Sequence, residues 1–156
     1  MEAPYARWTS SVWGDTSAGD RDLNEVVSPG GYPDPEVAAA VDAAAVPLAL
    51  RLASERYPMF RVVSQNHSNP GFDLAVLEGN LLVRYIELKS TTKEDGGFYM
   101  SDYQLQFSRV NAERYSLLIL AGLDPSTGTC TPYWFDGDVG EHFAMRAIQW
   151  RGVLSS

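Results

Sequence analysis

Asn69-Pro-Gly-Phe-Asp73-Leu-Ala-Val-Leu-Glu-Gly-Asn-Leu-Leu-Val-Arg-Tyr-Ile-Glu87-Leu-Lys89 reads as two strands around a turn, with ionisable groups at the open end. Strand residues two apart share a face, so Glu87 and Lys89 project the same way. The run from Leu81 to Ile86 is apolar on both faces, the pattern of a central, doubly covered strand. Ending such a strand in an acid and a lysine is costly unless they are paired, wet or bound to a metal. One acid from the neighbouring strand, one acid and one lysine suit divalent-metal hydrolysis.

The parity of the hairpin governs whether that site can exist. Directly opposed residues of an antiparallel pair point to the same face. A regular two-residue turn at Gly79-Asn80 sets Asp73 against Ile86 and sends Glu87 to the other face. One more residue sets Asp73 against Glu87. A joint site therefore requires a three-residue loop, Gly79-Asn80-Leu81, or a bulge of the same parity.

The order Pro70, Asp73, Glu87-Leu-Lys89 resembles the PD-(D/E)xK nucleases. More narrowly, Asn69-Pro-Gly-Phe-Asp73, Arg84-Tyr-Ile-Glu87-Leu-Lys89 and Tyr115-Ser-Leu-Leu-Ile-Leu120 resemble the NO VEIN C-terminal domain family, over roughly residues 35–121. Leu88 stands where that family usually has Val, and Gln104 where it often has Glu. The resemblance implies a restriction-endonuclease-like fold and a Mg²⁺- or Mn²⁺-dependent nuclease acting on DNA in restriction, repair or anti-phage defence. It implies metal binding by Asp73 and Glu87, with Lys89 orienting or deprotonating water. It also implies a further acid from the preceding helix, for which Glu55 is the candidate, and a polar residue on the following helix, Gln104. Bland alternatives stand beside these roles. Lys89 can pair with Glu87 structurally, Glu55 can be a solvated helix-end acid, and Gln104 can cap its helix with Ser101. Ser90 and Thr91 are candidate phosphate contacts or ordinary loop residues.

Around this segment the chain reads α-β-β-β-α-β, an α/β layered domain with a mixed sheet. Residues 1–33, rich in Ser, Gly, Asp and Pro, read as an irregular arm preceding a domain over 34–156. Asp34-Pro35-Glu36 starts a helix, which Pro47 is expected to kink or split. Strands are expected over Phe60–Ser64, Phe72–Leu77, Leu81–Lys89, Tyr115–Ala121 and Thr129–Phe135. Ser101-Asp102-Tyr103-Gln104 is a capping-box pattern opening a helix to about Ala112. Helical potential also runs from Val139 to Val153.

Composition narrows the function classes. The length of 156 residues and 45% hydrophobic content suit one domain with a core. The one cysteine, Cys130, excludes an internal disulfide framework and fits a reducing, cytoplasmic setting. No apolar run in the sequence approaches the ~20 residues of a membrane span, and Met1-Glu-Ala-Pro-Tyr is not a signal peptide. His67 and His142 have no zinc or triad spacing. The net charge of −8 argues against a generic nucleic-acid surface. A partner protein or fused domain is therefore expected to deliver DNA, and a catalytically inactive module binding DNA or protein is the alternative.

Overall fold

The computed structural model describes residues 34–65, 71–147 and 154. The arm at 1–33, His67, Pro70 and the end of the expected C-terminal helix lie outside them. Helix α1 spans Pro35–Arg56. Strands β1 (Arg61–Ser64), β2 (Leu74–Glu78) and β3 (Leu81–Ser90) follow. Helix α2 (Asp102–Val110) and a 3₁₀ turn (Ala112–Arg114) lead to β4 (Tyr115–Asp124) and β5 (Thr129–Asp136). A one-turn helix, α3, covers Val139–His142. The expected helix to Val153 stops at His142 within the described residues, and Phe143 is already extended.

The strands form one sheet in the order β1-β2-β3-β4-β5. Strands β3 and β4 are parallel and the other neighbours antiparallel. A parallel pair needs a crossover, and the segment carrying α2 supplies it. The sheet is thus mixed, between two helical layers. On one face the α1 stripe Val41, Ala45, Ala49 and Ala53 packs on Leu74, Val76, Ile86, Leu118 and Leu120. On the other, Tyr115, Leu117, Ile119 and Phe135 pack with Val139, Phe143, Leu105 and Phe107.

Asp34 caps α1 as its sequence requires, accepting Glu36 N–H at 2.8 Å. The helix runs unbroken through Pro47, correcting the expected kink. Pro47 and Ala43, whose carbonyl loses its partner, both lie on the exposed side. Water can solvate that carbonyl, while the alanine stripe holds the opposite face to the sheet. At 22 residues this helix is also long and apolar enough to cross a membrane, which the sequence reading missed. Its small-residue stripe is instead a packing surface, allowing close approach to the sheet.

The hairpin meets its parity condition by a bulge. The turn is Gly79-Asn80, with Glu78 opposite Leu81 and Leu77 opposite Leu82. The register then shifts, setting Val76 opposite Arg84 and leaving Val83 extra. From there Ala75 faces Tyr85 and Leu74 faces Ile86. Asp73, the residue just before β2, stands outside this ladder, with its N–H on Ile86 O and its carboxylate on Leu88 N–H next to Glu87. Gly79 takes φ +61°, a left-handed turn conformation that suits glycine.

Candidate functional site

Asp73 sits just before β2, held by its backbone on both sides. Its N–H donates to Ile86 O at 2.9 Å and its carbonyl accepts Gln65 N–H at 2.7 Å. Its carboxylate reaches across to β3, where Oδ2 accepts Leu88 N–H at 2.8 Å. That bond fixes the acid between the backbone positions of Glu87 and Lys89.

Glu87 is 1% exposed, on the sheet face opposite the α1-packed Ile86. Lys89 Nζ lies 2.9 Å from its Oε1. Gln104 Nε2 donates to the same Oε1 at 2.7 Å. Gln104 Oε1 accepts Lys89 Nζ at 3.2 Å and Ser101 N–H at 3.0 Å. Ser101 Oγ in turn accepts Gln104 N–H at 3.1 Å. The capping box is therefore complete, and its glutamine also orders the Glu87–Lys89 pair. One side chain thus caps the helix and also contacts the Glu87–Lys89 pair.

Burial pushes the Glu87 carboxyl up, to about 7 from an ordinary 4.5. Lys89 opposes the rise, whereas the Asp73 carboxylate adds to it by its charge and by accepting a hydrogen bond from the protonated Glu87 carboxyl. Glu87 Oε2 is buried with no hydrogen-bond partner. Like-charged carboxylates side by side, one with an unpartnered oxygen, fit a hard divalent cation, whose charge offsets their repulsion. Water and a substrate oxygen would complete its shell.

Glu55 is not brought to this cluster. It lies on α1, exposed, 3.9 Å from Arg51 one turn earlier. The buried stripe of α1 packs on the other face of the sheet from Glu87. Its role as a metal ligand is therefore corrected to that of a solvated helix-end acid. Among the described residues no group of three or more His, Cys, Asp or Glu side chains is placed to hold a metal ion. The acids of the site are the pair Asp73 and Glu87.

Two features escaped the sequence reading. Tyr115 opens β4 on the Glu87 face, fully buried, with its hydroxyl unpartnered. Burial, then the charges of Glu87 and Asp73, hold that phenol firmly in its neutral form. A tyrosine opening a largely apolar strand was the available signal. On the opposite face, Arg84 donates to Ser116 Oγ at 3.0 Å and lies 3.7 Å from Asp136. Asp136 also accepts from Ser116 Oγ at 2.6 Å and from Arg56 at 3.2 Å. This network ties α1, β3, β4 and β5 together and explains an arginine within an apolar strand.

The sequence profile described as "Protein NO VEIN, C-terminal" matches residues 44–130, more than half of the chain. Comparisons with the curated proteins and with the solved structures gave no match.

Proposed function

As the chain belongs to the NO VEIN C-terminal family, we propose that it is a metal-dependent nuclease domain cutting DNA phosphodiester bonds. The observation carrying this reading is the Asp73 carboxylate bonded to Leu88 N–H next to Glu87, with Lys89 2.9 Å from Glu87. Asp73 and Glu87 would hold Mg²⁺ or Mn²⁺. When bound, such an ion lowers the pKa of its water and neutralises charge building on the phosphate. Leu88 N–H and Gln104 keep the two carboxylates turned together before substrate arrives. Lys89, steadied by Glu87 and Gln104, is positioned to orient the attacking water or stabilise the phosphorane oxygens. Its two partners restrict an otherwise flexible four-carbon stem, which favours a preset geometry.

A domain with a net charge of −8 recruits DNA poorly unaided. A partner protein or fused domain would deliver the substrate, as in restriction, repair or anti-phage systems. The same charge favours the second reading, an inactive module that binds DNA or protein. Plasmid and oligonucleotide substrates incubated with Mg²⁺, Mn²⁺ or EDTA separate the two. Cleavage lost with EDTA, and lost separately in Glu87→Ala and Lys89→Ala, supports the nuclease. Metal-independent cleavage, or cleavage surviving both substitutions, defeats this assignment.

A further inference from the structure

Among the described residues, the buried side-chain atoms without a hydrogen-bond partner are Glu87 Oε2 and Tyr115 Oη. Buried polar groups are nearly always satisfied, so each such atom calls for a physical account. These two belong to one neighbourhood. Tyr115 pairs with Tyr85 across the parallel β3–β4 ladder, two positions before Glu87, and packs on the same face. Its phenol senses the Glu87 and Asp73 charges. One is an acceptor, the other a hydroxyl that can donate. The surrounding aromatic wall also fixes the phenol ring: Phe107 lies 6.3 Å from it, centroid to centroid, and itself packs on Phe72 and Tyr85. A rigid ring carrying an unmet donor on the same sheet face as an unmet acceptor, two ladder positions away, suits a bridge by one enclosed water, which can serve several polar groups at once.

We infer that Tyr115 is a positioning residue for the Glu87 carboxylate, its hydroxyl reaching Oε2 through one buried water. The carboxylate is then held at both oxygens, Oε1 by Lys89 and Gln104 and Oε2 from the Tyr115 side. Groups that orient a ligand in this way tune metal affinity without touching the metal. The consequence for cation binding rests on the function proposed above; the coupling between Tyr115 and Glu87 does not.

A double-mutant cycle on the metal-free full chain tests the coupling. Unfolding equilibria are measured in denaturant at pH 8 for the parent, Tyr115→Phe, Glu87→Gln and the double variant. The expected coupling is tenfold or more in the unfolding constant, about 1.4 kcal/mol. An unpartnered hydroxyl of no consequence to Glu87 gives additive effects, and additivity within twofold overturns the inference. Should Tyr115→Phe fail to fold, the Tyr115 hydroxyl proton is followed by NMR in the parent and in Glu87→Gln. Loss of its exchange protection on Glu87→Gln supports the link, and an unchanged signal overturns it.

Mn²⁺ titration of the parent and Tyr115→Phe separates this inference from the reading it extends. Tyr115→Phe is expected to weaken Mn²⁺ binding tenfold or more. A parent that binds no Mn²⁺ defeats the cation reading while a measured coupling still stands. Equal Mn²⁺ binding with additive stabilities overturns the role of Tyr115 and leaves the cation reading intact.

Discussion

The Asp73 carboxylate is bonded to the backbone of the strand that carries Glu87, with Oδ2 accepting Leu88 N–H at 2.8 Å. Asp73 thus has a structural duty and a candidate chemical one. Substitution can divide them. Asp73→Asn keeps an oxygen that can accept from Leu88 N–H, whereas Asp73→Ala leaves that N–H without its partner. We expect Asp73→Ala to cost ~1–3 kcal/mol of stability and Asp73→Asn to cost less. Both should lose Mn²⁺ binding, measured by calorimetry beside denaturant melts. Full Mn²⁺ binding by either would remove Asp73 from the proposed site.

Glu87 gives a pH-dependent stability. Its carboxyl is raised in the fold, to about 7 from 4.5. The unfolded chain therefore releases this proton first as pH rises. The contribution of the protonated carboxyl is fully present below pH 4.5 and lost by about pH 7. At ~1.36 kcal/mol per pH unit this loss is on the order of 3 kcal/mol. Glu87→Gln should accordingly be more stable than the metal-free parent at pH 8, with the advantage fading towards pH 4.5. Denaturant midpoints at both pH values check this. An advantage as large at pH 4.5 as at pH 8 would contradict the assignment.

Divalent-ion binding should follow the same group in the opposite sense. The ion competes with a proton for Glu87, so Mn²⁺ affinity should climb from pH 5 to 7 and flatten above. A profile flat from pH 5 to 8 would show that Glu87 is not a ligand.

Gln104 joins the helix cap to the site. Gln104→Ala removes the side-chain half of the capping box and the donor to Glu87. A loss of ~1–2 kcal/mol is expected. Cleavage, if the proposed chemistry holds, should fall through kcat because Lys89 loses its second anchor. Equal kcat for parent and variant would reduce Gln104 to a cap.

Pro47 offers a test of the fold. It removes one helical hydrogen bond and crowds the Ala43 carbonyl, so Pro47→Ala should stabilise the protein by ~1–3 kcal/mol. Thermal melting reads this directly. Unchanged or lower stability would mean that the proline is matched to its setting in α1.

Local chemistry was enough to place most elements. Asp34-Pro35-Glu36 marked a helix start, Ser101 to Gln104 a cap, and Leu81–Lys89 a central strand, because caps and side-chain periods act over a few residues. The sequence also stated the parity on which the site depends, but left two ways to satisfy it. Only strand pairing selected the bulge at Val83 over a longer loop, since register is a property of two strands together. Tertiary packing also overrode local preference at Pro47, where exposure of Ala43 spared the helix. It separated Glu55 from Asp73 by committing α1 to the other face of the sheet, a choice invisible in an alanine-rich stripe. The candidate site followed the same division. Asp73, Glu87 and Lys89 were legible from spacing, whereas the burial that lifts Glu87 and the unpartnered Tyr115 hydroxyl on the same face arise only when β3, β4 and α2 close around them.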